Sequence, residues 1–542
     1  MRIPGIGFTL ALAVFAANVA IAAPPGAPQV TMGADIKLLR FDWEPVAGAG
    51  YYQLRFRPSG RAAYQPLGER IPATITQIEQ SLALHLQDWA GMRFIVAACN
   101  SDGCTNSAAL SPRSLMFDAI GYLKASNAET LDQFGRGVAL SADGYTLAVT
   151  AMFESSNASG VNGDQANNLS QSSGAVYVFR RRGNAWQQEA YLKAGTNQPQ
   201  QTFGTAVDFD FRATALSADG SILAVAAPHE HVQGIEEAGT VYVFRRTRNA
   251  WRLVATLHAP ELQFRDFFGS SLDMSHDGRT LMVTSVLRHE SVGPPVMHTH
   301  IFVRPADAWQ HAVTLAPFYP GDRCQTTRLS ADGRTLVSSC TTIGISGGRI
   351  ITMKRAGNAW VHATDLPNSF YNLRQPIGLN ADASVMALSD PRRPSVVGIY
   401  RWNGANWARE ASLAGPVSTD PFFIGYWGYD LAFNGTGQLL AVSEPFAREA
   451  NAGVAPIMMP GPADLGAVYL YRVDGLAKTW ALRNVVKSPR PGWRDLFGLS
   501  IALSNSGRTL AVGAPGENSS AIGINGDRIN EDARDSGAAY LY

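Results

Sequence analysis

Five histidines fall close together in the middle of the chain: His229, His231, His289, His298 and His300. His298 and His300 are one residue apart, a spacing that puts both rings on one face of a β-strand. Together with His229 and His231 they make a candidate site for Zn²⁺ or Cu²⁺. No Cys or carboxylate spacing of a zinc motif accompanies them, so histidines bonded without metal are the simpler reading. A second constellation is built from amides and carboxylates. Gly160-Val161-Asn162-Gly163-Asp164 with Asn167 repeats in register as Gly523-Ile524-Asn525-Gly526-Asp527 with Asn530. Asn162, Asp164, Asn167, Asn525, Asp527 and Asn530 are candidate ligand-binding residues, with Asp532 and Asp535 adding oxygens to the second copy. The same residue types also build turns in which Asn and Asp satisfy local backbone donors.

The cysteines form two local pairs, Cys99 with Cys104 and Cys324 with Cys340. A hairpin centred near Asp332 places position 324 opposite position 340, within reach of a disulfide after slight adjustment. Two bridges are therefore expected. They require an oxidising compartment, and the start of the chain agrees. Arg2 is followed by a mostly apolar run from Ile6 to Ile21 and by the small-x-small pattern Ala20-Ile21-Ala22. This reads as an export signal over residues 1–22, with no later apolar run long enough to span a bilayer. The expected location is periplasmic, secreted or at the cell surface.

Those candidate residues must be held by something, and the composition suggests what. Across 542 residues only 16% are charged and 52 are Gly, which suits a turn-rich β protein of two or more units. The net charge is +1 without a sustained basic run, which argues against a nucleic-acid partner.

From about residue 117 the chain repeats itself at intervals of roughly 50–75 residues, the mark of a repeat architecture. Phe-Gly pairs open several units (Phe134, Phe203, Phe268, Phe497). A turn follows, as in Ser141-Ala142-Asp143-Gly144, Ser275-His276-Asp277-Gly278 and weaker forms at Asn380, Asn434 and Ser504. A Gly-Ala-Val-Tyr strand comes next at Gly174, with relatives at Gly239, Gly466 and Gly537. A Trp then recurs at Trp186, Trp251, Trp309, Trp360, Trp407 and Trp480, and inter-unit packing is the expected use of these indoles. Turns between alternating apolar runs make each unit a four-stranded antiparallel meander, and tandem meanders point to a β-propeller. Seven turns predict seven blades. The last unit ends without a fourth strand, but Tyr122-Leu123-Lys124-Ala125 matches Tyr191-Leu192-Lys193-Ala194, so the early segment is expected to complete it and close the ring.

The ordered recurrence of these motifs, with Gly513-Ala514-Pro515 and Ala226-Ala227-Pro228, resembles the FG-GAP repeat family, which includes the integrin α-subunit propeller. The resemblance implies a seven-bladed propeller over 117–542. Many integrin-type blades carry a DxDxDG calcium loop. None of the seven turns here does, and a four-residue turn cannot supply the six or more oxygens that Ca²⁺ prefers. Calcium is thus possible but unsupported, and no cofactor is expected. Residues 27–112, with Trp43 on an early strand and Val96-Ala97-Ala98-Cys99-Asn100 on a late one, resemble a fibronectin type III β-sandwich.

The fold expected is all-β, a seven-bladed propeller behind a small sandwich. Long second-to-third-strand loops in five blades would form a crescent on one face. The expected function is non-catalytic, an exported adhesion-type protein binding a protein or glycan there. The alternative is a hydrolase or lyase built on the propeller, metal-dependent in one version. A third possibility is an envelope component with a broad apolar patch. No GxSxG elbow, HExxH or P-loop is present, and converging ionisable side chains in one pocket would favour the enzyme.

Overall fold

The computed structural model describes residues 23–206, 212–287, 296–319, 322–342, 348–368, 376–390, 396–416, 426–448, 453–455, 465–475 and 478–542. The export signal over 1–22, His289, and the inter-strand loops over 288–295, 343–347, 391–395 and 456–464 fall outside these residues.

Contacts divide the chain into two units. The first comprises residues up to Met32, Phe41–Ile78 and Gly91–Ser111. Its sheet joins Tyr51–Arg57 to Arg93–Asn100 and then Gly103–Asn106, with two short strands beside the first. Alternation puts Tyr52, Leu54, Phe94 and Val96 inside, where Phe41 meets Phe94 at 5.2 Å and Trp43 meets Tyr52 at 5.1 Å between ring centroids. Cys99 lies opposite Cys104 and is bonded to it.

The second unit comprises Gly33–Arg40, Glu79–Ala90 and Pro112–Tyr542, so the expected single cut near residue 112 is crossed by two earlier segments. It is built from antiparallel sheets of the meander type, here called I to VII in chain order. Their first, inner strands are Phe134–Leu140, Thr214–Leu216, Ser271–Met274, Asp322–Leu329, Ile377–Leu379, Leu431–Phe433 and Ile501–Leu503. Each inner strand touches the inner strand of the next sheet, and that of sheet VII touches that of sheet I. The fourth strand of sheet VII is Gly121–Leu123, with Tyr122 directly opposite Tyr540. Cys324 lies opposite Cys340, and the two are bonded.

The Phe-Gly and Gly-Ala-Val-Tyr motifs turn out to be two halves of one contact. A Cβ on Gly174 would run into the backbone of Phe203 in the next sheet, and Gly537 stands in the same relation to Phe134. Both glycines have φ above +80°, so absent side chain and left-handed backbone are needed together. The Phe rings then fill the inter-sheet core, with Phe134 0% exposed and edge-on to Tyr177 and Phe179. The recurrent Trp residues also link sheets: Trp251 donates to Glu189, Trp407 to Thr352 and Trp480 to Glu410.

Candidate active site in the central cavity

The turns that follow the inner strands are tied into a closed chain of backbone hydrogen bonds. Asp143 N–H donates to Ala218, Ala218 to His276, His276 to Ala331, Ala331 to Ala381, Ala381 to Gly435, Gly435 to Asn505, and Asn505 back to Ala142, at 2.7–3.3 Å. Within each turn the Ser or Asn side chain accepts from the backbone five residues on, as Ser141 does from Thr146. The turns are rigid as a result, and together they rim one end of a cavity of about 220 Å³ lined by the inner strands of all seven sheets.

Six ionisable residues are among those lining this cavity: Arg212, Asp273, His276, Arg328, Tyr429 and Asp430. Asp273 accepts from Met274 N–H and, across the junction to sheet IV, from Leu329 N–H, both at 2.9 Å. Asp430 repeats the device, accepting from Leu431 N–H at 2.8 Å and from Ile501 N–H of sheet VII at 3.0 Å. Each carboxylate is thereby oriented by two backbone dipoles while its remaining lone pairs stay available. Arg328, buried, donates to Ile377 O at 3.3 Å and Thr327 O at 3.0 Å. The half-buried Arg212 reaches Leu431 O of sheet VI at 3.5 Å. Burial pulls the His276 imidazole below its ordinary pKa, partly opposed by the carboxylates of Asp273 and Asp277, which favours a neutral ring able to accept or relay a proton. Carboxylates, guanidinium groups, a phenol and an imidazole in one cavity are the ingredients of general acid–base chemistry on a polarised substrate.

The residues singled out from sequence lie elsewhere. Asn162 pairs with Tyr191, its Oδ1 accepting at 2.9 Å and its N–H donating at 2.7 Å, and Asn525 does the same to Tyr122. Asp164 accepts from Ala166 N–H and Asp527 from Ile529 N–H. Asn167 accepts from Asn157 and Leu169, and Asn530 from Ser520. These contacts lie within each loop or bind it to its own sheet.

Among the histidines, His229 bonds Thr202 at 2.8 Å and stands edge-on to Phe267, while the Gln198 side chain holds the backbone of the exposed His231. His298 and His300 do share a face, with centroids 6.2 Å apart. His300 has both ring nitrogens engaged, by Ser285 at 3.1 Å and Thr314 at 3.0 Å, and burial lowers its pKa to about 3. Among the described residues no set of three or more His, Cys, Asp or Glu is arranged to hold a metal ion.

A buried ionic cluster was missed by sequence reasoning. Glu154 pairs with Lys193 at 2.6 Å and accepts from Tyr191 at 2.8 Å, while Lys193 also donates to Ser173. Glu517, Lys124, Tyr122 and Ser536 repeat the set in sheet VII, with a 2.7 Å ion pair. The signal was there in the shared Tyr-Leu-Lys-Ala, since a Lys inside an apolar strand needs a buried partner.

No protein-family model matches the chain, and no curated protein matches its sequence. Several solved structures resemble it. Hydrazine synthase of Kuenenia stuttgartiensis is 15% identical and has a TM-score of 0.43, covering 72% of this chain and 94% of that one. A periplasmic gluconolactonase of Pseudomonas aeruginosa is 14% identical with a TM-score of 0.39, covering 82% and 98%. An oligogalacturonate lyase of Vibrio parahaemolyticus is 10% identical with a TM-score of 0.41, covering 78% and 92%. At these values the likeness concerns the general all-β build.

The expectation of a non-catalytic, adhesion-type protein is corrected here. The solved structures of similar build include proteins named as a gluconolactonase and an oligogalacturonate lyase. The physical reason lies in the side chains. The loops expected to bind a partner use the six candidate Asn and Asp residues to hold themselves, whereas ionisable groups converge in the cavity. No helix among the described residues is long and apolar enough to cross a membrane.

Proposed function

We propose that this chain is an enzyme of the hydrolase or lyase class whose active centre is the central cavity of a seven-bladed propeller. One observation carries the reading: six acid–base and charged side chains from four different sheets line one small cavity. In hydrolysis, Asp273 or Asp430 takes the proton of an attacking water while a guanidinium stabilises the oxyanion. In elimination, the same carboxylate takes a carbon-bound proton and the guanidinium stabilises the resulting enolate. Tyr429 and His276 are the groups placed to protonate a leaving oxygen. The closed sequence of inner-strand contacts, the Tyr122–Tyr540 pairing and the loop of turn-to-turn bonds support seven blades. The first unit is read as a fibronectin type III-like spacer and the repeats as FG-GAP-like. The two disulfides support an extracytoplasmic location.

The test is a turnover screen of small esters, lactones and uronate glycosides with the full chain and its Asp273→Asn and Asp430→Asn variants. At least one substrate is expected to turn over, with one variant slowing kcat by about 10²–10⁴-fold. Undiminished kcat in both variants would remove the cavity as the active centre, and a folded wild type inert to the whole panel would overturn the enzyme reading.

A further inference from the structure

We propose that sheet II holds a binding site for a small monovalent cation, ammonium or potassium, at the buried carboxylate of Glu230. In sheets I and VII the same place is taken by a lysine ammonium.

The repeat fixes the comparison residue by residue. In sheet I, Tyr177 lies opposite Tyr191 and Val176 opposite Leu192; in sheet II, Tyr242 lies opposite Thr256 and Val241 opposite Leu257. Lys193 therefore corresponds to His258 and Tyr191 to Thr256. Ser173, just before Gly174, corresponds to Ala238, just before Gly239. The acid does not change. Glu154, Glu230 and Glu517 are all buried, and their backbone carbonyls accept from the N–H groups of Gly174, Gly239 and Gly537 at 2.9, 3.0 and 2.8 Å. In sheet I the Lys193 ammonium donates to Glu154 at 2.6 Å and to Ser173 at 2.7 Å. In sheet VII the Lys124 ammonium donates to Glu517 and to Ser536, both at 2.7 Å.

Sheet II keeps the carboxylate without the ammonium. Glu230 is 3% exposed and its printed donors are hydroxyls, Thr196 at 2.6 Å and Tyr242 at 2.8 and 2.9 Å. No cationic side chain among the described residues pairs with it. His258 is half-buried, and burial alone lowers its pKa, with no pull from Glu230. Thr256, His258 and Ala238 are also shorter than the residues whose positions they occupy. One oxygen is added in return. Thr240 stands where sheets I and VII have Ala175 and Ala538. Its hydroxyl is fully buried and close enough to favour the charged carboxylate, yet it makes no well-formed hydrogen bond. Burial raises the Glu230 pKa and the three hydroxyls oppose the rise, so the charged form lacks only a counter-charge. One carboxylate among neutral oxygens matches a single positive charge, and it falls short of the six or more oxygens that Ca²⁺ prefers.

Thermal unfolding of the full chain in the chloride salts of ammonium, potassium and tetramethylammonium, at equal ionic strength and about pH 8, tests this. Tetramethylammonium is too large to replace a lysine ammonium and serves as the reference. Tm is expected to rise saturably with ammonium or potassium, by about 1–3 °C over the reference. Glu230→Gln should abolish that difference. His258→Lys should abolish it too, because the chain then carries its own ammonium. Equal Tm in all three salts would overturn the inference and leave Glu230 as a protonated, neutral acid. An undiminished difference in either variant would overturn it as well. Should Glu230→Gln fail to fold by circular dichroism, His258→Lys decides.

Discussion

A lysine in an apolar strand makes a demand that the rest of the fold must meet. Lys193 and Glu154 have side chains only 2% and 1% exposed, so neither ion has water to fall back on. Burial lowers the Lys193 pKa, and the Glu154 charge beside it works in the opposite direction. Removing one partner leaves an uncompensated buried charge, while replacing both with apolar groups removes the problem. Lys193→Met is accordingly expected to destabilise the protein by about 3–5 kcal/mol, and the double change Lys193→Met with Glu154→Leu by much less, measured by urea denaturation. Equal losses in the single and double variants would show that the pair does not act as a unit. At this scale the sequence was partly readable. The shared Tyr-Leu-Lys-Ala was visible, but Glu154 and Glu517 sit in loops and gave no sign that they turn inward.

Two further acids stand at equivalent junctions, Asp132 where sheet VII meets sheet I and Asp495 where sheet VI meets sheet VII. Asp132 and Asp495 are buried, each accepting one backbone N–H, from Glu129 and Gly492. Burial chiefly raises both, to about 7, with Glu154 and Glu129 adding to the rise at Asp132, Glu517 and Glu531 adding at Asp495, and Lys124 opposing at both. The sign follows from linkage. A carboxyl whose folded pKa lies above its unfolded value of 3.8 stabilises the fold fully below that value, and the contribution is lost as pH rises through about 7. Thermal unfolding of the wild type is therefore expected several degrees lower at about pH 8 than at about pH 5. Asp132→Asn with Asp495→Asn should flatten that slope while keeping an acceptor for each N–H. An unaltered slope would mean that other groups govern the pH response. The elements themselves were well marked in the sequence, because Phe-Gly and Gly-Ala-Val-Tyr are imposed by one close backbone approach. The function of the long loops was not. Asn162 and Asn525 have the composition of a ligand site, yet each is matched to a strand of its own sheet.

For the molecule as a whole, the closing strand was legible because Tyr122 to Ala125 repeats Tyr191 to Ala194 in an otherwise incomplete count of strands. The cavity was not legible, for two reasons. Its residues come from different repeats and are adjacent only after the inner strands converge. In addition, Phe-Gly precedes the turn serine by seven residues in sheets I, III and VII but by fourteen in sheet II. That insertion hides the equivalence of Arg212 with Arg136. Sequence also favoured loops over the core as the seat of function, on the general rule that loops carry binding residues. Here the turns at one end are locked to one another by backbone bonds, and the charged groups stand behind them on the inner strands (Asp273, Arg328) or just before them (Arg212, Asp430). A rigid rim of this kind holds carboxylates and guanidinium groups in fixed relation, which is what electrostatic catalysis requires.

The most direct measurement is kcat of the Asp273→Asn and Asp430→Asn variants on whichever ester, lactone or uronate glycoside the wild type turns over. A fall of about 10²–10⁴-fold in at least one of them, with the fold intact by circular dichroism, is the predicted result. Wild-type kcat in both folded variants would contradict the account.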